Sequence, residues 1–216
     1  MRILFQGDSI TDCGRDRRDF HNMGNGYPKY SSELIREAFP AQDFEFINLG
    51  IDGTRTNQLF DRFYPDAIAL QPDIISILIG INDIWHRYNR TPVLTTDRQT
   101  EANYRAMLEL LKEKTNAKII MLSPFLLDDE KKEAWRPELN SMLPFIRSLA
   151  DEFADVYIPL DKLFDEARKT QPSLKFYSDD GVHPNLNGIQ FIAKHYSEAI
   201  KPLIQEVASQ KQGDIL

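Results

Sequence analysis

The sequence predicts an α/β fold: a mainly parallel, five-stranded sheet with helices on both faces. Three observations carry this. Short apolar runs alternate with helix-period segments along most of the chain, the pattern of repeated β-α units. The runs are nearly continuous rather than alternating, as strands are when both sheet faces are covered. At 216 residues, 42% of them hydrophobic, the chain suits one domain with a full core.

The elements follow in order. A strand is expected over 2–6, where Ile3, Leu4 and Phe5 form its apolar centre and Gln6-Gly7-Asp8-Ser9 ends it. The polar segment 11–26 is too long for a tight turn and reads as a loop. A helix over 28–39 leads to a strand over 44–49, then a helix over 57–64 and a strand over 74–79. A third helix spans 100–115, followed by a strand over 118–122, a helix over 138–153, a strand over 156–159 and a last helix over 187–207. There is no internal repeat and no linker. The expectation is one domain over 1–210 with a flexible tail over 211–216.

Composition narrows the function. The formal net charge is −7, which repels phosphate backbones, and Arg15, Arg17 and Arg18 are interleaved with Asp12, Asp16 and Asp19, so no nucleic-acid partner is expected. Cys13 is the only cysteine, so no internal disulfide can form. No apolar run approaches eighteen residues and no charged leader precedes one, so the expectation is a cytoplasmic protein with no membrane partner.

In open parallel sheets, ligands bind beyond the carboxyl ends of the strands. The informative loops are therefore 7–11, 50–56, 80–85 and 123–127. In the first, Gly7 permits a tight turn, Asp8 can cap a following helix and Ser9 can project upward. Taken alone, Asp8-Ser9 reads equally as a capping pair. In the second, Gly50 and Gly53 allow backbone amides to face a ligand, or form a simple turn before a capped helix. In the third, the Asn82 amide can donate hydrogen bonds without bringing charge, although Asn82-Asp83 also suits a turn. Later in the chain, Asp180 and His183 stand three residues apart, a spacing that lets a carboxylate reach an imidazole. A serine needs such a base, and the base needs an orienting group. The alternatives for this last segment are a surface loop, or a metal site built from Asp179, Asp180 and His183 that no further His or Cys cluster supports.

Gly7-Asp8-Ser9-Ile10, Asn48 to Gly53, Gly80-Ile81-Asn82-Asp83 and Asp180-Gly181-Val182-His183-Pro184, in this order, resemble the SGNH family of GDSL-type esterases and lipases. The resemblance implies a three-layer α/β/α sandwich of flavodoxin-like type. It implies Ser9 as nucleophile, His183 as general base and Asp180 as its orienting group. The Ser9 and Gly53 N–H groups and the Asn82 side chain would form the oxyanion hole, and no cofactor or metal is implied. The longer stretches from Gly7 to Arg15 and from Ile79 to Trp85 resemble the bacterial branch that includes acetylxylan esterases. That branch acts on acetylated xylan or xylo-oligosaccharides and is often oligomeric, so a possible homo-oligomer is implied.

Around this core, Asp8, Trp85 and Tyr88 are candidate substrate-binding residues, Trp85 for stacking on a sugar ring. His86 and Arg87 are expected on a rim or solvated face. Trp135, in the charged stretch 128–136, is expected exposed, marking a lid or subunit contact. The polar character of 128–135 and of the 12–26 loop favours short-chain, acetyl, esters. The competing readings are a lipase, thioesterase or other acylhydrolase of the same family, a carbohydrate-binding module with a vestigial site, and a flavodoxin-like nucleotide binder, which lacks any phosphate-loop pattern.

Overall fold

Arg2–Gly7 form β1, buried from Ile3 onward, second from one edge of a five-stranded sheet. In the computed structural model, which describes residues 1–89, 93–171, 173 and 175–213, the other strands are β2 (Glu45–Asn48), β3 (Ile74–Leu78), β4 (Lys118–Leu122) and β5 (Val156–Ile158). Their order is β2-β1-β3-β4-β5 and all pairs are parallel. Ile3 lies opposite Phe46 on one side and Ile74 on the other. Side chains of β3 are buried along its whole length, which accounts for its continuous apolar run.

The helices are α1 (Ser9–Asp12), α2 (Tyr27–Ala38), α3 (Thr56–Asp61), α4 (Ile81–Tyr88), α5 (Asp97–Lys114), α6 (Arg136–Phe153), α7 (Leu160–Thr170) and α8 (Leu186–Gly213). α2 and α8 pack together over one face, where the Phe5 ring meets Tyr27 at 5.8 Å and Tyr196 at 5.3 Å. α3, α5 and α6 pack side by side on the other. The result is the three-layer α/β/α arrangement expected.

Differences from the sequence reading are local. The loop expected over 80–85 is the start of α4, capped by Gly80. α7 was not anticipated: only Leu160 and Phe164 are buried along it, and no side chain caps its start. α5 begins earlier than 100 because Thr96 and Gln99 form a capping box, Thr96 accepting from the Gln99 N–H and Gln99 from the Thr96 N–H. A π-helical turn over Tyr64–Ile68 follows α3. α8 continues through Lys211, which pairs with Asp73 at 2.6 Å. That residue was expected in the tail, of which 214–216 lie outside the described residues. Among the described residues no helix is long and apolar enough to cross a membrane.

Candidate active site

The strand order reverses beside β1: the chain leaves β1 for β2 on one side and returns to β3 on the other. The loops after β1, β2 and β3 therefore diverge around a crevice, and each carries part of the site.

Ser9 opens α1 directly after β1. Asp8 caps that turn, its Oδ1 accepting from the Ile10 N–H at 3.0 Å. This side chain is 1% exposed. It therefore cannot be the substrate contact expected from sequence: the helix turn has folded it inward. Burial pushes its carboxyl up to about 7, against the Ile10 hydrogen bond and the nearby His183.

The Ser9 hydroxyl stands 3.0 Å from His183 Nε2. His183 Nδ1 stands 2.8 Å from Asp180 Oδ2. A carboxylate only accepts, so this contact selects the tautomer with the proton on Nδ1 and leaves Nε2 as the acceptor facing Ser9. Asp180 Oδ1 in turn accepts from the main-chain N–H of His183 at 2.7 Å and of Val182 at 2.9 Å. Burial works to raise the Asp180 pKa, but the His183 ring and these two N–H groups outweigh it and hold the carboxyl well below the usual carboxylate range. The same ring contact raises His183 above the ordinary histidine value, against its partial burial. The three residues that sequence placed at the two ends of the chain thus form one continuous hydrogen-bonded chain.

The second and third loops meet beside it. Asp52, Gly53, Asn82, Trp85, His86, Asn89 and His183 line a pocket of about 250 Å³. Asn82 Nδ2 donates to Thr54 O at 3.2 Å, which uses one of its two amide hydrogens and orients the other. Gly53 lines this pocket with φ +73° and open space where a side chain would stand, and the His86 ring hydrogen-bonds to its backbone. Asp83 points the other way: Thr56 Oγ1 donates to its Oδ1 at 2.7 Å and the Thr56 N–H to its Oδ2 at 3.0 Å. These bonds tie α4 to the loop carrying Gly53. A larger cleft of about 580 Å³ lies beside Arg147 and Tyr157, but no serine or histidine lines it.

Bracing between the first two loops was not legible. Asp12 Oδ2 accepts from the Asp52 N–H at 2.9 Å, Arg15 Nε donates to Gly50 O at 2.8 Å, and Asn48 Nδ2 donates to Thr11 O at 2.8 Å. The approach is close: a Cβ on Gly50 would come within 2.5 Å of the Asp12 N and 2.8 Å of Thr11 Cβ. Gly50→Ala is expected to destabilise the protein by about 1–3 kcal/mol through overpacking, read as a lowered midpoint in urea unfolding. An unchanged midpoint would show that the two loops part freely.

The aromatic residues differ from expectation in an instructive way. Trp85 lines the pocket, with its ring 5.6 Å from that of His183. Tyr88 does not line it: its hydroxyl donates to Ala134 O at 2.6 Å and to Glu138 at 2.8 Å. Trp135 is 5% exposed rather than forming an open lid or contact surface. Its charged neighbours are satisfied among themselves, Arg136 with Asp128 and Glu133 and Arg168 with Asp128. The indole turns inward against Trp85 at 5.1 Å and Tyr88 at 5.6 Å. Arg87 is held between Asp97 and Glu138, each at 2.6 Å, rather than solvated. Cys13 closes α1 half-buried, and burial raises its thiol, which disfavours the reactive thiolate. His21 Nδ1 meets Phe46 O, and the His195 ring packs on Phe191; neither lines the pocket. Among the described residues no three His, Cys, Asp or Glu side chains converge as metal ligands.

The chain is similar to known proteins in sequence and in fold. The sequence model of the GDSL-like lipase/acylhydrolase family matches residues 5–191. An acetylxylan esterase from Geobacillus stearothermophilus is 31% identical over 207 residues, covering 92% of this chain and 93% of that protein. The crystal structure of Axe2, an acetylxylan esterase from the same organism, superposes with a TM-score of 0.83 at 29% identity, covering 93% of this chain and 94% of Axe2. A structure described as a GDSL-like lipase from Parabacteroides merdae gives a TM-score of 0.85 at 38% identity, covering 92% of this chain and 94% of that one. Solved variants described as catalytic mutants of Axe2 replace a serine, an aspartate and a histidine by alanine.

Proposed function

The chain belongs to the GDSL-like lipase/acylhydrolase family and is a carboxylic ester hydrolase, and on that premise we propose that it removes short acyl groups, acetyl above all, from acetylated xylan or xylo-oligosaccharides through an acyl-enzyme on Ser9. The observation that carries this reading is the relay from Ser9 Oγ through His183 to Asp180, at 3.0 and 2.8 Å, opening beside a pocket of about 250 Å³.

His183 Nε2 takes the proton as Ser9 Oγ bonds to the ester carbonyl carbon. Negative charge moves to the carbonyl oxygen, where the N–H groups of Ser9 and Gly53 and the Asn82 amide meet it. The C–O bond to the alcohol breaks, and the His183 proton goes to the departing oxygen. Water then repeats the sequence: His183 takes its proton, the hydroxide oxygen bonds to the acyl carbon, and Ser9 leaves with the proton as the acid is released. Asp180 stays ionised throughout and balances the imidazolium.

Two features support the acetyl and carbohydrate side of the reading. The pocket is small and Trp85 walls it, leaving little room for a long acyl chain. The half-buried Trp85 indole offers a flat apolar face with an N–H, suited to a sugar ring. Among acetate, butyrate and octanoate esters of one alcohol, kcat/KM is expected to be highest for acetate and roughly tenfold or more lower for octanoate. A maximum at octanoate overturns the short-chain reading. Acetate release from acetylated xylo-oligosaccharides, measured beside other acetylated sugars, tests the alcohol side. A lower rate on the xylo-oligosaccharides than on the other sugars would exclude them as the preferred substrate.

A further inference from the structure

Segment 127–132 forms a cradle under the loop that carries Asp180 and His183. The Leu127 N–H donates to Gly181 O at 2.7 Å. Gly181 has φ +81°, and a Cβ there would stand 2.8 Å from Asp129 Cβ and 2.9 Å from Leu127 O. The two segments therefore touch backbone to backbone, at the residue next to Asp180.

Lys132 completes this contact. Its ammonium donates to the main-chain oxygen of Asp180 and lies 3.9 Å from Asp180 Oδ2 and 3.4 Å from Asp129 Oδ2. It also sits over two indoles, 5.4 Å from the Trp85 ring and 5.7 Å from the Trp135 ring. The side chain is only 12% exposed. A lysine this far from water needs its three donors and its charge answered by the protein, and here a carbonyl, two carboxylates and two aromatic faces answer them. One of those faces, Trp85, also touches the His183 ring.

We infer that Lys132 is a positioning residue of the Asp180–His183 pair: its ammonium, clasped between Trp85 and Trp135, fixes the Asp180 peptide and offsets part of the Asp180 charge that His183 feels. This rests on His183 acting as the general base of the reaction proposed above.

The sign of the electrostatic effect follows from the surroundings. The carboxyl groups that raise His183 are Asp180, Asp8 and Asp52, and His86 shares its pocket. Those facing Lys132 are Asp129 and Asp180. The carboxyl groups favour imidazolium, and Lys132 opposes them. Removing its charge stabilises imidazolium, so His183 holds its proton to higher pH. Because kcat/KM requires the neutral ring, its acid limb moves to higher pH as well.

The test uses Lys132→Met, which keeps the unbranched stem, Lys132→Gln, which keeps a donor without charge, and Lys132→Arg, which keeps charge. The His183 ring signals are titrated by NMR, and kcat and KM are measured against pH on an acetate ester. In Lys132→Met, the His183 titration and the acid limb are both expected to move up by on the order of half a pH unit, and kcat to fall roughly tenfold as the Asp180 peptide loosens. Lys132→Gln is expected to show the same titration shift with a smaller loss of kcat. Lys132→Arg is expected to titrate like the unmodified protein. If Lys132→Met fails to fold, the Gln and Arg variants decide. A His183 titration unchanged in the charge-free variants, or shifted equally in Lys132→Arg, overturns the inference. The NMR titration does not depend on turnover, so an unmodified protein without esterase activity sinks the proposed reaction while the effect of Lys132 on His183 is still measured.

Discussion

Ser9→Ala is expected to lower the hydrolysis of a chromogenic acetate by on the order of 10⁴-fold or more, while leaving the fold intact. The rate loss follows from the geometry. The hydroxyl is the only part of Ser9 that the relay uses, and its partner His183 Nε2 lies 3.0 Å away. No neighbour replaces it: Cys13 is held as a half-buried thiol whose pKa is raised by burial. The pocket, the oxyanion donors and His183 survive, so a residual rate above water is expected. The fold survives because Asp8, not Ser9, caps α1, and one hydroxyl with one hydrogen bond is worth about 1 kcal/mol of stability. A fluorophosphonate should label the unmodified protein and not the variant. An unchanged rate for purified Ser9→Ala would end the acyl-enzyme mechanism.

Asn82→Ala is expected to lower kcat by on the order of 10²–10³-fold with little change in KM. A donor to developing charge acts in the transition state far more than on the bound ester, so its removal appears in kcat. Asn82 is 6% exposed, in the first turn of α4, with Thr54 O fixing one amide hydrogen. Losing that bond should cost about 1 kcal/mol of stability, too little to unfold the protein and account for the rate. Asn82→Asp sharpens the test. It keeps the shape but presents a charge where the oxyanion must form, and should be at least as impaired as Asn82→Ala. A variant with raised KM and unchanged kcat would instead make Asn82 a substrate-binding residue.

Part of this site was legible because Ser9, Gly53 and Asn82 follow strands, and strand ends read clearly from apolar runs, while Asp180 and His183 precede the last helix and were read from their spacing. Ser9, Gly53, Asn82, Asp180 and His183 each looked ordinary alone; their order along a β-α chain brought them to one sheet edge. What escaped shares a physical cause. α4 buries Ile81 and Ile84 in a short span that also holds Asn and Asp, so its start reads as a turn. Trp135 looked exposed because charges flank it, but charges that pair with one another leave an indole free to turn inward. Lys132 carried no signal, because its partners Asp180, Trp85 and Trp135 converge only in three dimensions. Asp8 reads both as a cap and as a substrate contact in the sequence, and the structure keeps only the cap, because its carboxyl turns inward to the Ile10 N–H.

The union of chain ends at Ser9 and His183 also bears on how the protein is made. Ser9 and His183 are 174 positions apart, and α2 and α8, which pack over one sheet face, are nearly as distant in sequence. Contacts of that span form late, because closing a long loop costs entropy before the contact repays it. A ribosome-bound chain that has emerged only through β4 has its hydroxyl and its oxyanion loops but no base. Ester turnover in a cell-free translation reaction would therefore begin only once the last helix is released, and the catalytic signal would time the completion of folding.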